Sequence, residues 1–237
     1  MSRTQPTRIV LALGLVLASV ACGGDQGDGG QAAAPPPATT APSPTQAQAQ
    51  AGPCHPGAAG SPSSARFNAE PAMALTAGAT YSAVLATNCG NVTLALAAAQ
   101  APHTVNSFVF LAGQKYFDHS PCHRLTTAGI FVLQCGDPTG TGTGGPGYTI
   151  PDENLNGATY PAGTVAMANT GRPHTGGSQF FLVYKDTSLP PSYTPFAKVS
   201  AGLDVLQQIA AMGTTSGGPD GAPKAGVVIE SVTINKA

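Results

Sequence analysis

Charged side chains are scarce in this sequence. They make up 9% of its 237 residues, with ten Lys and Arg against eleven Asp and Glu, and Trp is absent altogether. Arg3 and Arg8 lie at the N-terminus, and without them eight basic residues face eleven acidic ones, a net charge of −3. Basic residues are nowhere dense enough to neutralise a run of phosphates. The sequence therefore predicts no nucleic-acid partner.

A long apolar run is also missing. Residues 9–21 are uncharged and mostly apolar, but a membrane-spanning helix needs about 20 such residues. With Arg3 and Arg8 before it and small residues at its end, this run is typical of a secretory signal. Cys22 follows directly, as in a bacterial lipobox. We therefore expect residues 1–21 to be a lipoprotein signal peptide and Cys22 to carry a lipid that anchors an exported protein to the outer face of the cell membrane. An ordinary signal peptide, cut nearby, is the alternative.

Residues 22–65 are dominated by Ala, Pro, Gln, Gly and Ser, with alternating Gln and Ala at 46–51. Such a composition cannot bury enough apolar surface to offset the entropy lost when the chain becomes ordered. We expect a flexible linker that holds a domain away from the membrane. Residues 76–237 are sufficient for one domain with a hydrophobic core.

Apart from Cys22, the chain has four cysteines: Cys54, Cys89, Cys122 and Cys135. An even number in an exported protein indicates disulfides, for which three pairings are possible. Cys122 and Cys135 fall near opposite ends of one predicted hairpin, so they can be neighbours across its strands. This favours Cys122–Cys135, with Cys54–Cys89 as the second bond. A pairing of Cys89 with either hairpin cysteine stays open.

A metal site is the competing interpretation, because His119 and His123 lie close in sequence to Cys122 and Cys135. Thiolates and imidazoles are the ligands that Zn²⁺ prefers. However, Cys122 and His123 are adjacent on a predicted strand and so point to opposite faces of it. This disfavours a single tetrahedral site, and we predict no metal.

The domain consists largely of short stretches typical of β-strands. These stretches are residues 80–87, 91–97, 122–126, 130–135, 163–169, 178–184, 196–200 and 227–234. Two helices are predicted far apart: one begins at Pro102 and stops at Gly113, and the other covers residues 203–210 before Gly213. Many short strands with two distant helices predict a mainly β fold, a closed barrel capped at its ends, rather than alternating βαβ units.

Residues 120–148 carry the clearest indication of a functional site. They begin with a predicted hairpin and continue into a glycine-rich segment that cannot be regular structure. Alternation along the hairpin predicts that Arg124 shares a face with Gln134. Phe131 lies near them and can form a wall of a shallow pocket. An arginine, an amide and an aromatic ring would then meet where a strand pair joins a long loop, a usual location for a site. The alternative is an arginine that merely lies at the rim of a barrel.

Five motifs follow one another along the domain: CHRL from Cys122, LQCGD from Leu133, GTVAMAN from Gly163, GGSQFF from Gly176 and FAKV from Phe196. Their order and spacing resemble those of the cyclophilin-type peptidyl-prolyl isomerases, from about residue 77 to residue 236. The resemblance implies a closed eight-stranded antiparallel barrel with two helices. It also implies a monomeric enzyme without a cofactor that isomerises X-Pro bonds in proline-containing polypeptides.

The resemblance also assigns roles by position. Arg124 matches the catalytic arginine, and Gln179 is implied to support it. The proline pocket of the groove is implied to consist of Phe131, Val132, Phe181 and Leu189. Gln134 is implied to offer its side-chain amide to the peptide, and Ala168 and Asn169 their backbone. Tyr193 also belongs to the groove, at a position where many eukaryotic members carry His. Ser188 stands where many eukaryotic members carry Trp, which implies that cyclosporin would bind only weakly.

Three classes of function follow from these features. The first is an isomerase that acts on exported proteins as they fold. The second is a proline-peptide binding or chaperone module whose turnover is incidental. The third, indicated only by the signal and linker, is the substrate-binding lipoprotein of a transporter, which usually needs a larger, two-lobed chain. The residues that match the catalytic groove favour the isomerase.

Overall fold

The computed structural model describes residues 54–237. The predicted signal peptide, Cys22 and the linker up to residue 53 lie outside the described residues. Within residues 54–237 the chain forms ten strands and two helices. The strands are β1 Tyr81–Thr87, β2 Gly90–Leu96, β3 Ser120–Pro121, β4 Arg124–Thr126, β5 Val132–Cys135, β6 Thr164–Met167, β7 Phe180–Val183, β8 Pro195–Ala201, β9 Asp220–Gly221 and β10 Val228–Lys236, and the helices are α1 Pro102–Gly113 and α2 Leu203–Ala211.

Both helices lie where the sequence predicts them. Pro102 occupies the first turn of α1, where no backbone N–H is needed and its fixed φ suits a helix. α2 begins directly after Gly202, whose φ of 87° lies in the left-handed region. A Cβ at this position would also collide with the backbone of Asn91, so a glycine is required there.

All strand pairs of the sheet are antiparallel, and the order across it is β3-β10-β1-β2-β8-β6-β7-β5-β4-β9. The two longest ladders join β1 to β10, from Tyr81 opposite Lys236 to Thr87 opposite Ile229, and β1 to β2, from Tyr81 opposite Leu96 to Thr87 opposite Gly90. The mainly β fold with two helices is therefore confirmed.

The predicted closed barrel of eight strands is wrong in detail. The sheet is a ten-stranded half-barrel that begins at β3 and ends at β9. The reason lies in residues 120–126, where one strand is interrupted at Cys122 and His123. The part before the interruption, β3, pairs with β10, whereas the part after it, β4, pairs with β5 and β9. The ladder is therefore not continuous around the sheet, and the two-residue strands β3 and β9 form its edges.

The core is rich in contacts between aromatic rings. Phe108 of α1 contacts Phe117, Phe180 and Phe196, with ring centroids 5.1, 5.7 and 5.5 Å away. Ring pairs at such distances add to the stabilisation gained from burial alone. β6 and β7 are buried along their whole length, and close packing makes them a rigid support for neighbouring strands.

Both disulfides that the sequence analysis favoured are present. Cys122–Cys135 joins the two sides of the β4–β5 hairpin, next to Arg124. Cys54–Cys89 ties the end of the predicted linker to the turn between β1 and β2. Within residues 54–237 there is no group of three or more His, Cys, Asp or Glu side chains placed to hold a metal ion. None of the helices in this part of the chain is long and apolar enough to cross a membrane.

Residues 54–79, here called the N-terminal strap, contain no helix or strand and run along the domain. The side-chain amide of Asn106 on α1 forms three hydrogen bonds with the strap backbone. His103 Nδ1 lies 2.7 Å from Glu70 Oε1 of the strap, and this hydrogen bond raises the pKa of His103. The strap is therefore fastened along its length, including residues 54–65 that its composition assigns to the linker.

Candidate active site

Arg124 and Gln134 face each other across the hairpin formed by β4 and β5. They are directly opposite in the antiparallel register, so their side chains project from the same face, as alternation predicts. Arg124 Nη1 lies 3.5 Å from Gln134 Oε1, at the long limit of a hydrogen bond. The next residues, Leu125 and Leu133, are buried and fix the hairpin on the core. The two polar side chains are thereby presented at the surface of a rigid element.

Asp220 holds the guanidinium of Arg124 from the other side. β9 pairs with β4 and sets Asp220 opposite Thr126. Arg124 Nε donates to Oδ1 at 2.8 Å and Nη2 donates to Oδ2 at 2.6 Å, a bidentate pair. These hydrogen bonds raise the pKa of Arg124 and lower the pKa of Asp220. The guanidinium is therefore fixed in direction, with Nη1 towards Gln134.

Asp220 is a residue of the site that the sequence does not predict. It is 96 positions from its partner Arg124, and the two strands that pair here have only three and two residues. No local pattern indicates such a contact. The one sign in the sequence is that Asp220 ends an uncharged stretch, residues 205–219, in which an isolated acid is conspicuous.

A chain of side-chain amides extends the site away from Arg124. Gln134 Nε2 donates to Gln179 Oε1 at 2.9 Å. Gln179 Nε2 in turn donates to the carbonyl oxygens of Gly142 and Gly144, at 3.0 and 2.9 Å. Gln179 therefore reaches Arg124 only through Gln134, and it links the hairpin to the glycine-rich loop, residues 136–148.

The glycine-rich loop is built around the buried carboxylate of Asp137. Oδ1 accepts hydrogen bonds from the N–H and hydroxyl of Thr139 at 2.8 and 2.7 Å. Oδ2 accepts from the N–H groups of Gly142 and Gly144 at 2.8 and 3.0 Å. Burial alone would raise the pKa of Asp137, but these hydrogen bonds outweigh it and the pKa is lowered. Asp137 thus fixes the two residues whose carbonyls hold Gln179.

An apolar pocket of about 190 Å³ opens beside the guanidinium. Its buried residues Val132 and Phe181 belong to adjacent strands. The ring of Tyr193 stands edge-on to Phe181, with centroids 5.5 Å apart. The Tyr160 hydroxyl fixes Tyr193 by donating to its carbonyl at 2.9 Å and accepting from its N–H at 3.1 Å. The pocket is lined by Arg124, Ile130, Val132, Gln134, Ala168, Asn169, Phe181, Leu189 and Tyr193.

Eight of the ten residues that the sequence assigns to the site line this pocket, and Phe131 and Gln179 do not. Side chains alternate on approach to β5, so Ile130 and Val132 face the pocket and Phe131 faces away. The Phe131 ring packs against Tyr184, 6.0 Å between centroids, and lies 4.4 Å from Lys185 Nζ. Ile130, rather than Phe131, therefore lines this pocket, and a part for Phe131 in holding the proline stays a prediction.

The two residues expected to offer their backbone to a peptide are both held by hydrogen bonds to neighbouring segments. The Ala168 N–H already donates to the Gln179 carbonyl at 2.9 Å. The Asn169 side chain donates to the Ser192 carbonyl at 2.7 Å and accepts from the Gly171 N–H at 2.9 Å. Asn169 is thereby fixed between two loops at the edge of the pocket.

Residues 82–234 match the family described as "Cyclophilin type peptidyl-prolyl cis-trans isomerase/CLD". The chain therefore belongs to the cyclophilin-type family, as its motifs imply. It is 50% identical over 171 residues to "Probable peptidyl-prolyl cis-trans isomerase B" of Mycobacterium leprae (strain TN). It is 38% identical over 159 residues to "Peptidyl-prolyl cis-trans isomerase" of Helicobacter pylori (strain ATCC 700392 / 26695).

These similarities differ in coverage. The match covers 66% of this chain and 58% of the Mycobacterium leprae protein, so the chain spans little more than half the length of that relative. It covers 65% of this chain and 87% of the Helicobacter pylori protein. A crystal structure of a Cryptosporidium parvum cyclophilin type peptidyl-prolyl cis-trans isomerase, in the presence of the dipeptide Ala-Pro, is similar with a TM-score of 0.57 at 28% identity, covering 65% of this chain and 98% of that one.

Proposed function

We propose that this chain is a peptidyl-prolyl cis–trans isomerase that accelerates rotation about X-Pro bonds in exported proteins as they fold. The observation that carries the proposal is the fixed Arg124 guanidinium at the edge of an apolar pocket of about 190 Å³. Membership of the family supports it. The Ala-Pro dipeptide named with the Cryptosporidium parvum structure supports proline-containing peptides as the substrate class.

The chemical problem is a rotation barrier of about 18–20 kcal/mol, which arises from the partial double-bond character of the peptide C–N bond. Halfway through the rotation conjugation is lost, and the lone pair localises on the prolyl nitrogen. A hydrogen-bond donor beside that nitrogen stabilises the twisted amide more than either planar isomer, and so lowers the barrier. Arg124 suits this role because a guanidinium stays charged and presents a rigid set of donors.

The pocket supplies the other half of the mechanism. Val132, Phe181 and Leu189 would hold the pyrrolidine ring, while Gln134 and Asn169 contact the chain on either side of it. With the ring held, the acyl part of the substrate turns about the C–N bond beside Arg124. Every step in this proposal uses side chains of the pocket, and none requires a nucleophile, metal or cofactor.

Arg124→Ala tests the proposal. In a protease-coupled assay on Ala-Pro and other X-Pro peptides, we expect the variant to lose about a hundredfold in turnover, the size of effect seen when one preorganised donor is removed. Its thermal unfolding midpoint should hardly change, because the side chain is partly exposed. Arg172→Ala, which removes an exposed arginine outside the pocket, is the matched control.

Two other results would count against the proposal. Turnover of Arg124→Ala within a few-fold of the wild type would refute the role of the guanidinium. A wild-type protein that binds proline peptides but does not accelerate their isomerisation would indicate the second function, a binding or chaperone module.

We further propose that the protein acts as a monomer outside the cytoplasmic membrane, anchored by a lipid on Cys22. Cyclosporin should bind it weakly, because Ser188 is exposed and offers little contact area beside Leu189. A titration that finds Ser188→Trp no tighter than the wild type would remove the support for this last expectation.

A further inference from the structure

A second pocket of about 490 Å³ adjoins the apolar one. The two share Gln134, Ala168 and Asn169 as lining residues, so a peptide with its proline in the first can place a nearby side chain in the second. Most of the second pocket is formed by the glycine-rich loop and by residues before β7. One lining residue has a different origin: Arg66 comes from the N-terminal strap.

Phe67 determines where Arg66 lies. Its N–H donates to the Pro146 carbonyl at 2.7 Å, and its ring packs edge-on against Phe110 with centroids 4.9 Å apart. The strap passes so close to the glycine-rich loop that a Cβ on Gly147 would collide with the Phe67 carbonyl. The φ of Gly147 is also 99°, a value that favours glycine. Arg66 is therefore placed at this pocket by a well-anchored neighbour.

The charge of Arg66 is unbalanced. It is the only charged side chain among the residues that line the second pocket, and it has no hydrogen bond or ion pair with any side chain of residues 54–237. Arg124, in contrast, is neutralised by Asp220. Asp137 lies under the same loop, but it is buried and its oxygens are taken up by hydrogen bonds from Thr139, Gly142 and Gly144.

We propose that this second pocket binds an Asp or Glu side chain of the substrate and that Arg66 makes the protein selective for acidic residues close to the proline. The inference rests on the proposed function, because it takes the apolar pocket as the proline site. The two pockets share three lining residues, and three residues of an extended peptide span about 10 Å, so we place the acidic side chain within three residues of the proline. The Thr143 hydroxyl, which lines the same pocket, gives such a carboxylate one further donor.

The test uses paired peptides with a central Ala-Pro and either Glu or Gln at each of three positions on both sides. Binding to the full chain is measured by fluorescence anisotropy and isomerisation by NMR exchange. At one position, the Glu peptide should bind and turn over about two- to fivefold better than its Gln twin, the range for an exposed ion pair. This preference should decrease at high salt, because salt screens exposed charges.

Arg66→Gln should abolish the preference, and Arg66→Lys should keep part of it. Lys198→Gln is the matched control, since Lys198 is an exposed cation on β8 that lines neither pocket. Equal binding of Glu and Gln peptides at every position, or a preference that survives Arg66→Gln, would overturn the inference. If the protein binds Glu peptides more tightly but does not accelerate isomerisation, the proposed activity is refuted and this inference stands. If it accelerates isomerisation without a preference for Glu, this inference is refuted and the proposed activity stands.

Discussion

At the scale of single residues, the guanidinium of Arg124 is held on all three nitrogens. Two of them donate to Asp220 and the third lies near Gln134. Both members of the ion pair are partly exposed, Arg124 by 39% and Asp220 by 51%, and ion pairs in contact with solvent contribute about 0–1 kcal/mol to stability. The main effect of Asp220 is therefore on the direction of the guanidinium rather than on the fold.

Asp220→Ala should lower turnover on X-Pro peptides about three- to tenfold, because Arg124 keeps its charge but loses its orientation. The thermal unfolding midpoint should stay close to that of the wild type. Asp220→Asn, which keeps the shape and one acceptor, should give an intermediate loss. Asp204→Ala, which removes an exposed acid of α2, serves as the control. A rise in turnover would show the opposite role, namely that Asp220 draws the guanidinium away from the substrate.

The residues of the site differ in how far the sequence predicts them. Arg124 and Gln134 could be paired because alternation along a hairpin is a local rule, and it holds in the observed register. The same rule, applied to the chain just before β5, would have favoured Ile130 over Phe131. Asp220 reaches Arg124 through a ladder between very short strands far apart in sequence, which no local rule predicts.

At the scale of elements, the glycine-rich loop is held together by hydrogen bonds to the buried carboxylate of Asp137. Five donors of the loop converge on this carboxylate, and the loop then positions Gln179. The disulfide Cys122–Cys135 fixes the hairpin on the other side of the same amide chain. The site is thus fixed by Asp137 in the glycine-rich loop and by the disulfide in the hairpin.

Asp137→Ala should destabilise the protein at pH 7 by about 1–3 kcal/mol, the cost of leaving buried donors unpaired, and should lower turnover because Gln179 loses its partners. The lowered pKa of Asp137 gives the sign of the pH dependence. Its contribution to stability is fully present above the unfolded value of about 3.8 and is lost as the pH falls through the lower folded value. Urea unfolding at pH 7 and pH 3 measures both effects.

The difference in stability between the wild type and Asp137→Ala should therefore be smaller at pH 3 than at pH 7. Asp137→Asn, which keeps most of the acceptor geometry without the charge, should lose less stability at pH 7 than the alanine variant. An equal difference between wild type and Asp137→Ala at both pH values would contradict the lowered pKa.

The elements that the sequence predicts well are those whose cause is local. Pro102 marks the start of α1, and the strands with clear alternation appear at the expected places. The two-residue strands β3 and β9 have no pattern of their own and form only because other strands present free edges to them. For the same reason the interruption of the sheet at Cys122 and His123 could not be foreseen from the residues.

At the scale of the whole molecule, composition does not predict that the N-terminal strap is fastened to the domain. Residues 54–65 have the composition of the linker, yet Cys54 is bonded to Cys89 and the Ala58 N–H donates to Glu230 Oε1 at 2.7 Å. A single apolar residue, Phe67, then anchors the strap between α1 and the glycine-rich loop. One cysteine and one aromatic ring are too sparse to register in a composition, although they tie this part of the chain to the domain.

A lipid on Cys22 would attach this molecule to a membrane. Cys22 lies outside the described residues and follows a run of small residues at the end of the predicted signal. We expect the full chain, expressed in a bacterium, to sediment with membranes and to carry a lipid on an N-terminal Cys22, because this pattern is that of a lipobox. Cys22→Ser should remove the acceptor sulfur, so the protein should be released or left unprocessed.

Ser19→Ala, which keeps a small residue in the run, is the control and should behave as the wild type. Cell fractionation with mass spectrometry of the N-terminal peptide gives the answer: an unmodified Cys22 in the mature wild-type protein, or cleavage at another position, would show that the export signal is of the ordinary secretory kind.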